Sequence, residues 1–385
     1  MPMAAMTSVE RQSLPGEHRL LNYTDHFSAT YETARSKFRR AVAAANGALT
    51  QHRQPCVVGA LAEELTIDVG HVGNRSGAKQ LIMISGTHGL EGFAGSALQH
   101  AWLRQLQEVP LDQQVGVLLI HGLNPFGFSH GSRTTANGVD LNRNFIDHSA
   151  PPQANPHYAQ LHPWLAPQQW NSDSLQSGEA AIAAFRALHG DDVYFDAFAG
   201  GQYRFAQGVC FGGFSAEWEH LTLRNIVCAA VGHAEQVAVI DWHTGIGEYG
   251  QPFFLNFSLA DSVAHEVDRW WGQDTAGAAR PHGRRRPAYQ GLVFHGINAF
   301  LPRSTVAGGV VEFGTRGPVA GDQAIRQDLW LRNYGHLVPE DVRVQLHADL
   351  LDSLNPVSYQ WREAVLHNGL PIIQSTLEGL ARWAA

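Results

Sequence analysis

The feature that most constrains the fold is a set of four short apolar runs, each followed by a polar or glycine-containing segment. The runs cover residues 80–85, 115–120, 237–240 and 310–311. Their short length and their β-branched side chains are typical of central strands in a mostly parallel sheet that is covered on both faces. Residues 92–107 have helical character and lie between the first two runs, which completes a strand–helix–strand unit. The sequence therefore predicts an α/β fold with a mostly parallel, mixed central sheet and helices on both faces.

The rest of the chain indicates one domain with insertions. No internal repeat, low-complexity segment or clear linker interrupts its 385 residues, and 44% hydrophobic with 16% charged residues is typical of a compact globular protein. We expect a single catalytic domain over residues 1–385, with a helical N-terminal segment to about residue 66 and C-terminal helices from about residue 336. Residues 151–176 and 200–215 are expected to be irregular insertions near the site. Further helices are predicted at residues 24–46, 320–334, 341–354 and 359–383.

Charge and cysteine content limit the classes of partner and compartment. The formal net charge of −8 gives no support to a nucleic-acid partner or to binding of an acidic membrane, and the short basic run within residues 280–286 is typical of a solvated loop. Three cysteines without a framework spacing favour reduced, mostly buried thiols and a cytoplasmic location. Residues 1–16 lack the apolar segment of a secretory signal, and no apolar stretch is long enough to predict a membrane span.

Four short segments carry the polar residues from which a catalytic site could be built. In chain order they are residues 86–91 (GTHGLE), 140–145 (DLNRNF), 241–245 (DWHTG) and 311–314 (VEFG). Three of them directly follow predicted strands, at the carboxyl ends where open α/β sheets bind ligands. We therefore expect the four segments to form one site at that edge of the sheet.

His88, Glu91 and His243 are the candidate metal ligands. A histidine and a glutamate three residues apart can face one metal from a turn or a helix start, and catalytic zinc commonly takes three protein ligands and keeps one position open. The alternative is an exposed loop histidine beside a glutamate that the helix dipole stabilises. Glycines around His88 favour the metal site, because they let backbone and ligand approach closely. Asp241 is either a cap or turn residue or a support for His243.

A second set of residues suits an anionic substrate. Arg143 could hold a carboxylate through two hydrogen bonds, with Asn142 beside it, and Asp140 could orient a ligand histidine. The alternative is a structural turn in which acid and amide side chains bond their own backbone. Arg133, in a Gly-Ser-Arg-Thr loop, is a further cation that could stabilise a developing oxyanion.

Glu312 is the candidate general base. It follows the apolar residues 309–311 and precedes Phe313, and a carboxylate in such surroundings is unfavourable unless it is paired or functional. Apolar neighbours raise the pKa of a carboxyl group, which suits a group that accepts a proton from water. The alternative is a buried salt bridge to Arg303 or Arg316.

The order of these motifs resembles that of the M14-type zinc carboxypeptidases and of their deacylase relatives, the succinylglutamate desuccinylase and aspartoacylase group. Within that superfamily the chain most resembles an uncharacterised bacterial branch, DUF2817, and the matching motifs span residues 86–314. The resemblance implies one zinc ion, bound by His88, Glu91 and His243, with Glu312 as the base.

The resemblance also implies roles for the residues around the metal. It implies that Asn142 and Arg143 anchor the substrate carboxylate. Arg133 would polarise the scissile carbonyl, and Asp140 would support His88. Counted back from the base, Tyr289 corresponds to a mobile tyrosine that closes over the substrate. Ile297 corresponds to a residue of the specificity pocket, which indicates an apolar substrate side chain.

The leading hypothesis is a zinc-dependent hydrolase that cleaves an amide bond next to a free carboxylate, acting as a carboxypeptidase on short peptides. The alternative is an N-acyl amino acid deacylase that uses the same metal ligands and the same base. Residues 86–91 and 241–244 resemble the deacylase branch more closely than they resemble the digestive peptidases. The insertions would restrict either enzyme to a small substrate. A third hypothesis is a catalytically silent protein that binds carboxylate ligands, against which the presence of Glu312 and all three metal ligands argues.

Overall fold

The computed structural model describes residues 23–272 and 287–384. A seven-stranded sheet has the order β1-β2-β4-β3-β5-β7-β6. The strands are β1 (Ala48–Val58), β2 (Glu64–Gly73), β3 (Lys79–Ser85), β4 (Val115–His121), β5 (Gln236–Tyr249), β6 (Pro252–Asn256) and β7 (Thr305–Gly314). The central strands β4, β3, β5 and β7 are parallel, whereas β1, β2 and β6 pair antiparallel at the two edges. The predicted α/β fold with a mixed sheet and a parallel centre is confirmed.

Helices cover both faces of this sheet. Within the described ranges they are α1 (Tyr23–His26), α2 (Tyr31–Ala44), α3 (Gly92–Gln105), α4 (Pro125–His130), α5 (Tyr158–Leu165), α6 (Ser172–His189), α7 (Asp191–Ala199), α8 (Trp218–Val231), α9 (Asp261–Trp271), α10 (Val293–Phe300), α11 (Pro318–Tyr334), α12 (Glu340–Leu354) and α13 (Tyr359–Arg382). Side chains alternate across each strand, so Leu81 and Met83 pack into a cluster with α2, α3, α9 and α13. Ile82 and Ile84 pack on the other face with α8 and α10.

The N-terminal segment differs from the helical prediction. Helix α2 begins after Thr30, whose side chain accepts a hydrogen bond from the backbone N–H of Thr33, and it ends at Ala44. Residues 48–58 then pair antiparallel with β2 at the edge of the sheet. The prediction of a helical segment to residue 66 is therefore wrong beyond α2, because cross-strand pairing decides the structure there. Residues 1–22 and the basic run within residues 280–286 lie outside the described residues.

The other predicted elements are mostly confirmed. Each of the four predicted strands is present and longer than its apolar run, and α3, α11, α12 and α13 end within a few residues of the predicted bounds. Residues 151–176 are less irregular than predicted, because they contain α5 and the start of α6, which the side chain of Asn171 caps. Residues 200–215 form a loop. Cys210 is buried, but Cys56 and Cys228 are exposed, so the expectation of mostly buried thiols is wrong. No helix in the described ranges has the length and apolar character needed to cross a membrane.

Candidate metal centre and active site

The site lies at the carboxyl ends of adjacent parallel strands. In the register of β3 with β5, Ser85 is opposite Trp242, and in the register of β5 with β7, His243 is opposite Glu312. His88 follows the end of β3 by three residues, in the turn that leads into α3. The sheet register therefore brings both histidines and the candidate base to one edge, where α/β sheets bind ligands.

Close backbone packing shapes the turn that carries His88. Gly86 has a φ of 75°, a left-handed conformation that favours glycine. A Cβ atom on Gly89 would lie 1.9 Å from the carbonyl carbon of Gly127 in α4, so no other residue fits there without a shift of the backbone. The two glycines thus allow the turn to pack directly against α4.

Three potential ligand atoms of His88, Glu91 and His243 converge in the protein interior. The Nδ1 atom of His88 lies 3.0 Å from Glu91 Oε1, and that of His243 lies 3.1 Å from Glu91 Oε2. The two Nδ1 atoms are 3.1 Å apart. Zinc–ligand bonds of about 2.0–2.2 Å in a tetrahedron place the ligand atoms roughly 3.3–3.6 Å apart. The three buried side chains therefore lie close to the spacing of a zinc site.

Two carboxylates fix the orientation of the histidine rings. Nε2 of His88 donates to Asp140 Oδ1 (3.1 Å), and Nε2 of His243 donates to Asp241 Oδ2 (2.9 Å). Thr87 in turn donates from its hydroxyl to Asp241 Oδ1 (2.8 Å). When the two rings are neutral and keep their protons on Nε2, both Nδ1 lone pairs face the same point as the Glu91 carboxylate. Such lone pairs repel one another unless a cation lies between them, so the donor set fits a metal ion.

Arg133 connects the ligand cluster to Asp140. Its Nε and Nη2 atoms donate to Asp140 Oδ2 (3.2 and 3.0 Å), and its Nη1 donates to Glu91 Oε1 (3.0 Å). Burial alone would raise the pKa of Asp140, but the charges of Arg133 and His88 hold it well below the usual value. Burial alone would also raise the pKa of Glu91, but His88 and His243 hold that pKa below its usual value. Both acids therefore remain carboxylates, which can accept hydrogen bonds or bind a cation.

Glu312 lies next to the ligands without an arginine partner among the described residues. Glu312 Oε2 accepts a long hydrogen bond of 3.5 Å from the backbone N–H of Ile246. Burial raises the pKa of Glu312 to about 7, a value at which it can exchange a proton near neutral pH. Arg316 pairs instead with Asp352 at 2.8 Å. The geometry therefore gives no support to a salt bridge between Glu312 and Arg303 or Arg316.

Arg143 is held beside the same cavity by backbone carbonyls. Its Nε and Nη2 atoms donate to the carbonyl of Ala199 (2.9 and 2.7 Å), and its Nη1 donates to the carbonyl of Asn142 (2.6 Å). The ring of Tyr289 stacks on the guanidinium, with 4.9 Å between the guanidinium carbon and the ring centroid. The side-chain oxygen of Asn142 accepts from the backbone N–H of Val293 (2.9 Å), which leaves the amide nitrogen for a ligand.

One cavity of about 970 Å³, including its open mouth, connects most of the candidate residues. Those that line it are His88, Arg133, Asn142, Arg143, His243, Tyr289 and Glu312. Glu91 and Asp140 lie behind this surface and are each 1% exposed. A concave site of this kind, with a few polar groups converging on it, suits a small-molecule ligand rather than a folded protein.

Ile297 is the exception among the predicted site residues. It is fully buried on α10, in the cluster that packs this helix against the sheet, and it is not among the described side chains that line the cavity. Its assignment to the specificity pocket was wrong, because α10 turns Ile297 toward the sheet. Leu255, Phe257, Leu292 and Val310 form the apolar surface on that side of the cavity.

Sequence reasoning missed several residues that shape the site. Phe195 and Phe198 of α7 and Ile325 of α11 line the cavity, and Asp328 of α11 holds the backbone of Arg133. Phe195, Phe198 and Ile325 lie within ordinary helical patterns, which do not indicate whether a side chain faces a core or a ligand. Thr87 could have been noticed, since a hydroxyl directly before a candidate ligand histidine is placed to support a neighbouring carboxylate.

Fold and site together define an α/β protein with a candidate metal centre at the carboxyl edge of a mixed sheet. The chain belongs to the family described as "Protein of unknown function (DUF2817)", whose profile matches residues 27–368. This confirms the predicted family. A search of curated proteins found no match.

Solved structures similar to this chain include three proteins with sequence identities of 11–14%. Bovine thrombin-activatable fibrinolysis inhibitor, in complex with tick carboxypeptidase inhibitor, has 11% sequence identity and a TM-score of 0.42, with 91% of this chain and 99% of that chain covered. A metallo-carboxypeptidase from Burkholderia cenocepacia has 12% identity and a TM-score of 0.42, with 94% and 71% covered. A protein assigned as a succinylglutamate desuccinylase/aspartoacylase from Shewanella frigidimarina has 14% identity and a TM-score of 0.33, with 75% and 71% covered.

Proposed function

We propose that this protein is a zinc-dependent hydrolase that cleaves an amide bond next to a free carboxylate. The observation that carries the proposal is the convergence of His88, Glu91 and His243, with Glu312 opposite His243 on the adjacent strand. Two arginines line the same cavity and supply positive charge for an oxyanion and for a carboxylate. The motif order, which resembles that of M14-type zinc carboxypeptidases and their deacylase relatives, supports the same function.

His88 and His243 would bind the metal through Nδ1, and Glu91 would bind it through its carboxylate. Two histidines and one glutamate are an established ligand set for catalytic zinc and keep a position open. When bound, zinc would polarise the scissile carbonyl and lower the pKa of water. Asp140 and Asp241 would maintain the ring orientation that this binding requires.

Glu312 and Arg133 would act on the scissile amide. Glu312 would accept a proton from the attacking water and return it to the nitrogen of the leaving amine. Arg133 uses three of the five N–H donors of a guanidinium in its bonds to Asp140 and Glu91, which leaves two for the oxyanion that develops at the carbonyl. Burial of Glu312 and Arg133 strengthens both interactions.

Arg143 and Asn142 would anchor the substrate carboxylate. Arg143 spends three of its five donors on backbone carbonyls, so its orientation is fixed and two donors remain for a carboxylate. The amide nitrogen of Asn142 adds a further donor beside it. The substrate would thus be held with its carboxylate at Arg143 and its carbonyl at Arg133.

Two substrate forms fit this arrangement. Short peptides, cleaved as by a metallocarboxypeptidase, are the leading form, and N-acyl amino acids are the second. The enclosure of the cavity by α7 and α11 favours small substrates of either form over long peptides. A silent carboxylate-binding protein is the least favoured reading, because it would have no use for Glu312 at a pKa of about 7.

A substrate panel tests the proposal. Zinc-loaded protein is incubated with short peptides that have apolar, basic or acidic C-termini and with acetyl-, succinyl- and longer acyl-amino acids, and the released amino acid is quantified. Glu312→Gln should abolish turnover with zinc still bound, whereas Glu248→Gln, at an exposed position of β5, should match wild type. Release of C-terminal residues from peptides would identify a carboxypeptidase, and cleavage confined to acyl-amino acids a deacylase. Loss of zinc from Glu312→Gln would show that the residue is structural and contradict its role as base.

A further inference from the structure

Seven of the apolar side chains around the cavity come from two separate clusters. One set packs with the sheet and α10, and the other belongs to the cluster of α5, α6, α7 and α11. We call them the sheet wall and the helix wall, and they comprise Leu255, Phe257, Leu292 and Val310 on one side and Phe195, Phe198 and Ile325 on the other. Because the walls come from different elements, they can bind two different parts of one substrate.

The helix wall adjoins Arg133. Ile325 lies three residues before Asp328 on α11, so the two side chains share one face of that helix. Asp328 accepts a hydrogen bond from the backbone N–H of Arg133 at 2.9 Å, so this face is turned toward the Arg133 loop. Asp322, three residues before Ile325, also lines the cavity. The helix wall is therefore adjacent to the loop that carries Arg133, and the Arg133 side chain lines the same cavity.

Tyr289 and Arg143 lie between the two walls. The Tyr289 ring packs against both apolar clusters and stacks on the Arg143 guanidinium at 4.9 Å. Ala199, at the end of α7, accepts two hydrogen bonds from Arg143. A substrate whose carboxylate is bound at Arg143 thus has one apolar surface on each side of its anchor.

We propose that the helix wall is a subsite for a large apolar acyl group on the carbonyl side of the scissile amide. The substrates would then be N-acyl amino acids with an apolar acyl chain. This inference rests on the proposed function, because Arg133 defines the position of the carbonyl. It narrows that function to the second of its two substrate forms.

Chemistry at the helix wall favours an acyl chain over a peptide chain. A peptide would place backbone N–H and C=O groups against Phe195, Phe198 and Ile325, whose side chains offer no hydrogen bond, and burial of unpaired polar groups is unfavourable. An acyl group with its own negative charge, such as succinyl, would place a carboxylate against these apolar side chains, and burial of a charge there is unfavourable. A free dipeptide would place its ammonium group on the same side of the scissile amide, so Leu-Phe is the competing arm of the test.

The test compares derivatives of one amino acid. Full-length, zinc-loaded protein is assayed with N-acetyl-, N-hexanoyl-, N-decanoyl- and N-succinyl-phenylalanine and with the dipeptide Leu-Phe. Each buried methylene is worth a factor of about four, so kcat/KM should rise at least about tenfold from acetyl to hexanoyl and stay lowest for succinyl. Ile325→Ala should reduce the decanoyl-to-acetyl ratio about tenfold. Leu329→Ala, in the same helix and cluster but not lining the cavity, is the matched control and should leave that ratio unchanged.

Equal kcat/KM values across acyl lengths would overturn the subsite. So would an equal effect of Ile325→Ala and Leu329→Ala on the decanoyl-to-acetyl ratio of kcat/KM. Faster cleavage of Leu-Phe than of N-hexanoyl-phenylalanine would also contradict it. If no compound is hydrolysed, the proposed function fails, and the subsite is judged by binding to the Glu312→Gln variant. Calorimetry should then show N-decanoyl-phenylalanine bound at least about tenfold more tightly than the N-acetyl compound, a difference that Ile325→Ala removes. Equal affinities would refute the subsite independently of catalysis.

Discussion

Asp328 of α11 accepts a hydrogen bond from the backbone N–H of Arg133 at 2.9 Å, across 195 positions of the sequence. The same carboxylate oxygen accepts from the hydroxyl of Ser132 at 3.1 Å. A helix from the C-terminal part of the chain thus holds the loop from which Arg133 reaches Glu91 and Asp140. Asp328 is therefore a positioning residue, which acts on the site through Arg133.

Replacement of Asp328 with alanine should lower kcat about 10- to 100-fold, because small displacements of a catalytic group have effects of that size. It should also lower the free energy of unfolding by about 1–3 kcal/mol, since two donors lose their acceptor. Asp328→Asn keeps an acceptor oxygen and should fall between alanine and wild type. Asp341→Ala, at an exposed position of α12, is the control. Kinetics, zinc content and urea unfolding check the prediction, and a variant that is less stable but has wild-type kcat would contradict the positioning role.

The central strands and the motifs at their ends could be predicted because their signals are local. A run of six mostly apolar residues marks each of β3 and β4, and the polar segments that follow the apolar runs of β3 and β5 place His88 and His243 at one edge. The spacing of His88 and Glu91 depends on a single turn, which the nearby glycines make tight. Such features need no knowledge of distant parts of the chain.

The features that escaped prediction depend on contacts between distant residues. β1 forms a strand because β2 pairs with it, and no helical or strand pattern within residues 48–58 is strong enough to decide this alone. Ile297 was placed by its distance in sequence from Glu312, which does not determine the face of α10 on which it lies. Asp328 has the pattern of a helix surface residue until α11 packs against the Arg133 loop.

Replacement of Asp241 with alanine should weaken zinc binding about 10- to 100-fold, as is typical for a carboxylate that orients a ligand histidine. Without Asp241, the His243 ring loses the acceptor for its Nε2 proton, and Nδ1 is no longer fixed toward Glu91. Competition with a chromophoric chelator measures the affinity. Asp261→Ala, at an exposed helix start, is the control. Unchanged zinc affinity in Asp241→Ala would assign Asp241 to turn structure alone.

Replacement of Arg143 with alanine should raise KM for carboxylate substrates far more than for the corresponding C-terminal amides. A hydrogen bond to a charged group contributes about 1.5–3 kcal/mol, which predicts a 10- to 100-fold change in KM for the acid. The amide substrates act as an internal control, because they lack the charge that Arg143 would bind but share every other contact. Paired kinetics with an acid and its amide test this. Equal effects on both would mean that Arg143 supports the Tyr289 ring and the Ala199 carbonyl without binding the substrate.

Glu219 should make the stability of the protein depend on pH. It is 1% exposed, and burial raises its pKa from the ordinary value of 4.5 to about 8. The side-chain nitrogen of Gln54 donates to Glu219 Oε1 at 3.0 Å, while the side-chain oxygen of Gln54 is buried without a partner among the described residues. A protonated Glu219 can donate to that oxygen, so the neutral acid and the amide can form two hydrogen bonds.

The sign of the pH effect follows from the raised pKa. Between pH 4.5 and about 8 the folded state keeps the Glu219 proton and the unfolded state has lost it, so stability falls as pH rises. The slope from this one group is about 1.4 kcal/mol per pH unit, and it ends above the folded pKa. Glu219→Gln can accept the hydrogen bond from Gln54, offers an N–H to the Gln54 oxygen and carries no charge, so it should be more stable than wild type at pH 7 and lack this slope. Urea unfolding at pH 5, 6, 7 and 8 measures the effect, with Glu235→Gln at an exposed position as control. Parallel pH profiles for wild type and Glu219→Gln would show that Glu219 is ionised in the folded protein.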